Sequence, residues 1–269
     1  MKRWHLFEFM DFPWFPDSLR RIQTDILQEL MTRTKAFDCA APYIIKQLEQ
    51  AQSNTVIDLC SGASGPWLRL IKQFSGKQVR LILTDKYPNL SRFQAIKERS
   101  GGKIDYIETP VDALRVDPGL RGVFTMFTGF HHFKPRDVRS IIQSCQQNRQ
   151  TVCLFDYCPH KLANLLLAPF TNLISFLQFY FLVFLLRPYT WRHLLFTNLV
   201  PVVPLVAVWD GFVSGMRKYS AGELREIVAG LETPDYRITI GEDFTVARAV
   251  PMVYLLGEPV EVGGERGPF

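Results

Sequence analysis

The stretch Val56–Trp67, VIDLCSGASGPW, decides the fold of this 269-residue chain. An apolar run ends in an acid, closely spaced small residues follow, and a helical pattern begins near residue 66. A strand, a small-residue turn and a helix in this order place free backbone N–H groups and the positive end of a helix beside a ligand. The small residues let the backbone approach that ligand closely. The stretch therefore predicts a turn that binds a nucleotide-type ligand.

Two common nucleotide-binding turns do not match this stretch. A dinucleotide fingerprint needs glycine at positions 60, 62 and 65. Cys60 stands at the first of these positions, which disfavours a nicotinamide cofactor. The phosphate-binding pattern GxxxxGK[ST] does not occur in the sequence, which excludes a P-loop.

Short apolar runs alternate with helical patterns on both sides of this turn. Strands are predicted at 55–60, 79–84, 103–108, 122–127 and 151–157, with helices at 66–75, 89–99 and 134–148. Two further helices, from Asp17 or Ser18 to about Thr32 and over 40–52, precede the first strand. This alternation indicates a parallel sheet covered on both faces. The last two runs, 236–241 and 250–257, have no helix-length spacer and predict a closing antiparallel pair. The predicted fold class is α/β, with a Rossmann-like, doubly wound, seven-stranded sheet.

The turn resembles motif I of the class I S-adenosylmethionine-dependent methyltransferases. In that family an acid and alternating glycines follow the first strand; here Asp58 is the acid and Gly62 the central glycine. Cys60 and Ser64 stand where the family often has glycine. Both are small, so the turn remains compatible with the family's cofactor, S-adenosyl-L-methionine. Taken alone, Gly62 and Gly65 could merely shape a strand–helix turn.

Three later landmarks extend the resemblance in the expected order. Asp85 follows the second strand, where the family's acid accepts hydrogen bonds from the ribose hydroxyls, and a carboxylate suits that task because it is acceptor-only. Asp112-Ala113 matches the family's step beside the adenine, although Asp112 alone could be an ordinary turn residue or helix cap. The segment 128–133 resembles the lining of the methyl-transfer pocket. The resemblance implies cofactor contacts from Asp58, Cys60, Ser61, Gly62, Ala63, Gly65, Asp85, Lys86, Asp112, Ala113, Thr128 and Gly129.

The family's chemistry is methyl transfer, in which the protein orients the acceptor and excludes water. His131 and His132 are the candidate bases, because histidine titrates near neutral pH. Neighbouring side chains of an extended segment point in opposite directions, so we expect at most one of them to face the pocket. The residue spacing suggests no metal site. Candidate substrate contacts are Trp14, Phe130, Arg217 and Tyr219, the last two on a predicted loop at 209–220 where Asp210 could pair with Arg217.

An apolar insert separates the fifth and sixth strands. Residues 162–186 carry no charge, and a second apolar run at 194–209 contains two prolines. By length the first run could cross a bilayer, which takes about 20 residues, but a single crossing would divide the sheet. A helical hairpin at a membrane surface remains, and the cluster of Tyr189, Trp191 and neighbouring arginines fits an interface. The alternative is a soluble cap or a homodimer interface. Both alternatives predict an apolar acceptor pocket.

Composition limits the remaining choices. The net charge of +5 is spread along the chain without a dense basic block, so we expect no nucleic-acid partner. Five cysteines without a CxxC pair favour a reduced, cytoplasmic location. The membrane alternative for the insert adds peripheral contact at the inner face of a membrane. The N-terminus lacks the apolar run of a signal peptide.

We divide the chain into an aromatic arm with helices at 1–54, a methyltransferase-like domain at 55–160 and 210–269, and the insert at 161–209. The predicted function is methyl transfer to a hydrophobic small-molecule or lipid-like acceptor. Two alternatives stay open. One is a non-catalytic, membrane-associated binding protein that keeps a degenerate cofactor fold, and the other is a nicotinamide-dependent reductase.

Overall fold

The computed structural model describes residues 3–157, 161–187, 190–244 and 251–260. It contains one seven-stranded sheet in the order β3-β2-β1-β4-β5-β7-β6. The strands are β1 (Thr55–Asp58), β2 (Arg80–Leu83), β3 (Ile104–Tyr106), β4 (Val123–Phe127), β5 (Val152–Tyr157), β6 (Tyr236–Phe244) and β7 (Pro251–Pro259). Strand β7 runs antiparallel to both β5 and β6, and the other neighbouring pairs are parallel. The predicted fold class is therefore confirmed.

Helices cover both faces of this sheet. They are α1 (Asp17–Thr34), α2 (Ala41–Gln50), α3 (Trp67–Leu70), α4 (Leu90–Arg99), α5 (Pro135–Gln147), α6 (Lys161–Leu166), α7 (Ala168–Leu182), α8 (Trp191–Leu194), α9 (Val202–Arg217) and α10 (Ala221–Val228). Because successive side chains of a strand point to opposite faces, Val56 joins the core cluster under α2, α3 and α4, and Ile57 joins the cluster under α5 and α10. Both faces of the sheet are thus buried, which explains the nearly continuous apolar strands.

A third core cluster lies above the carboxyl ends of the strands. Ile22 and Ile26 of α1 pack there against Phe179 of α7 and against Val203 and Ala207 of α9. The insert is thereby attached to the N-terminal helix and forms a roof beyond the sheet edge. Tyr189, part of the predicted interfacial cluster, lies outside the described residues.

The last helix of the insert differs from the prediction. Residues 209–217 belong to α9, a continuous helix from Val202 to Arg217, and not to a loop at the sheet edge. Pro201 precedes the first helical residue and Pro204 lies in the first turn, where the missing N–H groups have no intrahelical partner in any case. The prolines therefore begin this helix and do not break it.

The N-terminal arm, residues 3–15, crosses the same end of the sheet and contacts α9. The backbone N–H of Trp4 donates to the carbonyl of Met216 at 3.2 Å. The indole N–H of Trp209 donates to the carbonyl of Phe7 at 3.0 Å. The arm thus closes the side of the roof that α1 and α7 leave open.

Candidate active site

The turn after β1 has a left-handed backbone at four of its residues, a conformation that glycine adopts most easily. Cys60, Gly62, Ser64 and Gly65 all have positive φ angles, between 47° and 89°. Asp58 lies beneath the turn, 2% exposed, and its two carboxylate oxygens accept the hydroxyls of Ser61 and Thr125 at 2.7 Å. Burial raises the pKa of Asp58 to about 7. Asp58 therefore supports the turn from within the protein.

Asp85 stands at the end of β2, opposite the turn. Its Oδ2 accepts the backbone N–H of Gly62 at 2.7 Å, and its Oδ1 accepts the backbone N–H of Tyr87 at 2.8 Å. Burial raises the pKa of Asp85, while the two backbone N–H groups act in the opposite direction. A carboxylate offers about four lone-pair sites, so two remain for ligand hydroxyls. The carboxylate lies on the wall of the main cavity.

This cavity has a volume of about 870 Å³. The turn and Asp85 form its floor, α1 and α7 form one side, and α9 with the N-terminal arm forms the other. Pockets for small molecules and cofactors span roughly 300–1,000 Å³, so the space suits an adenosine-type cofactor together with an acceptor. The groove over the carboxyl ends of the strands is therefore open, as binding of such a cofactor requires.

Most residues predicted to contact the cofactor lie on this cavity. They are Cys60, Ser61, Gly62, Ala63, Gly65, Asp85, Lys86, Thr128 and Gly129. Asp112 and Ala113 are not among the lining residues: Asp112 pairs with Lys86 at 3.0 Å, and Ala113 is buried in the core. From their loop, Pro110 reaches the cavity. Their contact with an adenine ring stays a prediction.

Both candidate bases line the cavity, contrary to the expectation that at most one would. The segment Phe130–His132 is a 3₁₀ helix and not extended backbone, so the two imidazoles lie on the same side. Their ring centroids are 4.4 Å apart. The alternation of an extended chain does not apply to such a turn.

His131 is held by a buried carboxylate. Its Nδ1 lies 2.6 Å from Oδ2 of Asp156 at the end of β5, and both side chains are almost fully buried. Its Nε2 is buried, lies 3.9 Å from Oε1 of Glu8 and has no hydrogen-bond partner within the described protein, although the residue as a whole lines the cavity. An ionised carboxylate is acceptor-only, which fixes the Nδ1–H tautomer and leaves a lone pair on Nε2. Burial lowers the pKa of His131, so the ring is neutral at neutral pH.

His132 is tied to the N-terminal arm. Its Nδ1 lies 2.7 Å from Oδ1 of Asp11 and 3.7 Å from Oε2 of Glu8. Burial alone would lower its pKa, but these two carboxylates raise the pKa of His132 to about 9. The guanidinium of Arg217 completes the cluster, with Nη1 3.0 Å from Glu8 and 2.6 Å from Asp11. His132 is therefore a cation at neutral pH, whereas His131 is neutral.

Glu8, His131 and His132 bring three potential metal-ligating atoms within 4.8 Å of one another. Arg217, however, already contacts the carboxylate of Glu8 at 3.0 Å. Together with a protonated His132, it supplies the positive charge that a cation would bring. We interpret the cluster as an ion-pair network that fastens the arm.

Several predicted contacts are arranged differently. Asp210 does not pair with Arg217; it accepts the backbone N–H of Phe9 at 2.8 Å and the side chain of Gln23 at 3.2 Å. Burial raises the pKa of Asp210 to about 6. Of the predicted substrate residues, Arg217 lines the cavity, while Phe130 and Tyr219 stack on each other in the core.

Trp14 also lies away from the cavity lining. Its ring stacks on Phe12 at 5.2 Å and is 65% exposed. The outer surface of the arm therefore carries this ring, and the arm contributes His5, Glu8, Met10 and Asp11 to the cavity.

Four site residues were not predicted from the sequence: Glu8, Asp11, Asp156 and Lys218. The signal for Asp156 is an acid inside the apolar strand β5, VCLFDY, where an unpaired charge would be costly. The Nζ of Lys218 lies 3.4 Å from the other oxygen of Asp156. Glu8 and Asp11 are two acids in an aromatic segment, which likewise indicates buried partners.

The wall that α7 and α9 contribute to the cavity contains both polar and apolar side chains. Ser175, Gln178 and Phe179 reach the cavity from α7, and Asp210 and Ser214 reach it from α9. The sequence predicts an apolar wall at this place. The difference arises because the apolar side of α7 is turned away from the cavity.

No protein-family model matches the chain, and no curated protein matches it. Solved structures with a similar arrangement include the mitomycin 7-O-methyltransferase MmcR, 15% identical, with a TM-score of 0.45 over 83% of this chain and 54% of that one. LepI in complex with SAM is 12% identical, with a TM-score of 0.46 over 81% of this chain and 46% of that one. The magnesium protoporphyrin IX methyltransferase ChlM from Synechocystis PCC 6803, with bound SAH, is 12% identical, with a TM-score of 0.47 over 83% and 84% of the two chains. This chain spans about half the length of the first two proteins.

The sheet itself identifies the fold. Its order is β3-β2-β1-β4-β5-β7-β6, with only β7 antiparallel, and it contains the five parallel strands and the closing antiparallel pair that the sequence predicts. The ligand-binding edge also lies where open α/β sheets bind ligands, at the carboxyl ends of the strands. The resemblance is therefore confirmed at the level of the fold: the chain has the class I S-adenosylmethionine-dependent methyltransferase fold.

Proposed function

We propose that this protein is an enzyme that transfers a methyl group from S-adenosylmethionine to a hydrophobic small-molecule or lipid-like acceptor. The observation that carries the proposal is that Asp85 and His131 line one cavity of about 870 Å³, and that the buried Nε2 of His131 has no hydrogen-bond partner among the described residues. The first suits the ribose of a cofactor and the second suits an acceptor proton. A cavity with both groups has room for the two reactants side by side.

The cofactor fits the residues at the carboxyl ends of β1 and β2. The turn 60–65 offers a backbone without bulky side chains, and Asp85 keeps two acceptor sites for ribose hydroxyls. Lys86 and Pro110 border the side where the adenine would lie. When bound, S-adenosylmethionine would supply a methyl group attached to a positively charged sulfur. An electron pair of the acceptor would displace the sulfur from the methyl carbon.

His131 would act as the general base for an acceptor that carries a hydroxyl. Its Nε2 takes the proton of the acceptor hydroxyl while the oxygen forms its bond to the methyl carbon. The positive charge that develops on the ring is stabilised by Asp156, 2.6 Å from Nδ1. The lowered pKa of His131 keeps the ring unprotonated at neutral pH, so Nε2 has a lone pair that can accept a proton.

The acceptor class follows from the remaining lining. Leu27, Leu30, Met31, Phe133 and Phe179 contribute apolar surface, whereas Ser175 and Gln178 add hydrogen-bonding groups at the roof. Such a wall suits a molecule with a hydrophobic body and one polar end. A cytoplasmic enzyme at the inner face of a membrane would meet acceptors of this kind.

Cofactor binding is tested by calorimetry with S-adenosylhomocysteine. We expect micromolar affinity for the wild-type protein and a loss of at least about tenfold in Asp85→Asn, since a carboxylate-to-hydroxyl hydrogen bond contributes about 1.5–3 kcal/mol. Asp117→Asn is the matched control, because its carboxylate bonds only within its own loop, to Gly119. No binding to the wild-type protein would refute the proposal, and NADH binding in its place would favour a reductase.

Turnover is tested separately with radiolabelled S-adenosylmethionine and a membrane-lipid extract. Label in the organic phase that disappears in His131→Gln supports the enzyme. Tight cofactor binding without transfer to any acceptor fraction would favour the non-catalytic binding protein.

A further inference from the structure

The outer face of α7 is apolar, in contrast to the surface helix of an ordinary globular protein. At 100° per residue, the large exposed side chains between Ala168 and Leu185 fall on one side of the helix. They are Phe170, Leu173, Ile174, Leu177, Phe181 and Phe184, between 39% and 65% exposed. No Asp, Glu, Lys or Arg occurs between 162 and 186. The helix therefore presents an uninterrupted apolar face to its surroundings.

The opposite side of the same helix belongs to the site. Phe179 and Val183 pack on α1 and α9, and Ser175 and Gln178 line the cavity. A helix with its side chains is about 10 Å in diameter. The apolar face and the cavity are thus the two sides of one helix, and whatever covers the face lies one helix diameter from the acceptor.

The apolar face continues over the neighbouring segments of the insert. Leu162, Leu166 and Leu167 extend it at one end, with exposures of 48% to 69%. Leu199 and Leu205 lie on the adjoining segments that lead into and form α9, with exposures of 78% and 59%. We call these residues, together with the outer side chains of α7, the insert face. Soluble monomers rarely expose apolar patches of more than a few hundred Å², so the insert face indicates a partner.

A lipid surface matches the chemistry at the border of this face. Trp191 is 67% exposed, and the guanidinium of Arg192 lies 5.7 Å from its ring. Tryptophan and arginine favour the interfacial region of a bilayer, and cations are attracted to anionic headgroups. The net charge of +5 acts in the same direction.

The packing of α7 decides how it would meet a bilayer. Among the described residues, one helical segment is long and apolar enough to cross a membrane: α7 with the 3₁₀ turn that follows it, Ala168–Leu185, of which only 17% is buried. The segments Trp191–Leu199 and Val202–Arg217 are long and apolar enough to cross a membrane only when they are taken together, and the chain bends by 70° between them. A crossing by α7 would remove the wall of the cavity, because α7 packs lengthwise on α1 and α9. The helix therefore suits a position parallel to the membrane plane.

We propose that the insert face docks this protein on an anionic lipid bilayer, with α7 lying in one leaflet as the partition between the lipid and the cavity. One part of this inference rests on the proposed function, namely that the bilayer is the source of the methyl acceptor. The docking itself requires no methyl donor. It can therefore be measured without one.

The test is flotation of the full chain with vesicles of phosphatidylcholine, with and without phosphatidylglycerol. The wild-type protein floats with both, more completely when phosphatidylglycerol is present. The variant Leu173→Ser/Leu177→Ser/Phe181→Ser removes one row of the insert face and lowers the partition coefficient at least about tenfold. The matched control Leu90→Ser/Leu114→Ser/Phe244→Ser changes the same residue types at exposed positions outside the insert and floats like the wild type. Arg192→Glu weakens flotation only with phosphatidylglycerol.

Three results would overturn the docking proposal. One is a wild-type protein that stays in the soluble fraction with both vesicles. Another is equal flotation of the insert variant and its control. The third is a lipid-free dimer that the insert variant converts into monomers, because a second copy of the chain would then cover the face. A circular-dichroism spectrum shows whether each variant is folded, and S-adenosylhomocysteine calorimetry on the same variants separates failure of docking from failure of the cofactor proposal.

Discussion

His131 and Asp156 form a buried pair in which Nδ1 and Oδ2 are 2.6 Å apart, while Nε2 of His131 keeps a free lone pair. We expect His131→Gln to lower the methyl-transfer rate by about 10²- to 10⁴-fold, the usual contribution of a positioned base. Binding of S-adenosylhomocysteine should stay within about twofold of the wild type, which calorimetry checks. A rate loss that comes with an equal loss of cofactor affinity would instead assign His131 to cofactor binding.

The pH dependence of the rate follows from the same pair. The base must be neutral, and burial lowers the pKa of His131 below its ordinary value of 6.5. The rate should therefore be constant around neutral pH and fall as the pH decreases below about 6.5. Replacement of Asp156 by Asn removes the anion that stabilises the charged ring and should move this acid limb to still lower pH. A rate that rises on acidification would contradict the role of His131 as a base.

The tie between His132 and Asp11 makes attachment of the arm depend on pH. The folded protein raises the pKa of His132 from its ordinary 6.5 to about 9. A raised histidine pKa contributes stability that is fully present below the unfolded value, about 6.5, and is lost as the pH rises through about 9. Hydrogen-exchange protection factors of the amides in 8–12 should therefore decrease between pH 7 and 10. The variant His132→Asn should show no such decrease, and amides of α5 serve as an internal control.

The ion pair of Arg217 with Glu8 should stabilise the folded protein only as a complete pair. Both side chains are at most 3% exposed, and their charged atoms are 3.0 Å apart. Arg217→Met leaves the buried carboxylate without this partner and should lower the free energy of unfolding in urea by about 3 kcal/mol. Adding Glu8→Gln should recover part of the loss. Arg225→Met, on the exposed side of α10, should change the free energy by less than about 0.5 kcal/mol.

Cys60 adopts a backbone conformation that favours glycine, with φ of 56°. Cys60→Gly relieves this strain but gives the unfolded chain more freedom, so the free energy of unfolding should change by less than about 1 kcal/mol. Affinity for S-adenosylhomocysteine should be retained. Cys60→Val places a β-branched residue in the same conformation and should destabilise the protein by about 1–2 kcal/mol. Equal stability of the two variants in urea would contradict the assigned strain.

The sheet, the turn after β1 and the position of Asp85 could be predicted because their determinants are local. Each strand is a short apolar run next to its own turn, and Asp85 follows directly on β2. Parallel strands place such turns at one edge without further information. The observed strands lie within the predicted ranges for β1 to β5 and extend beyond them for β6 and β7.

The acceptor side could not be predicted in the same way, because its determinants are distant or depend on one turn. The partners of Arg217 are about 206 residues away, on the arm. The 3₁₀ turn at Phe130–His132 decides that both histidines face the cavity and that Phe130 faces the core. Hydrophobic periodicity contains neither piece of information. The same holds for α9, whose prolines resemble a helix break until their place in the first turn is known.

The attachment of the arm has a consequence for biosynthesis. Glu8 and Asp11 leave the ribosome some two hundred residues before Arg217. During translation the acids and aromatic rings of the arm therefore stay uncovered until α9 has emerged. Closing so long a loop is slow compared with local folding, so closure of the cavity by the arm should be a late event in folding.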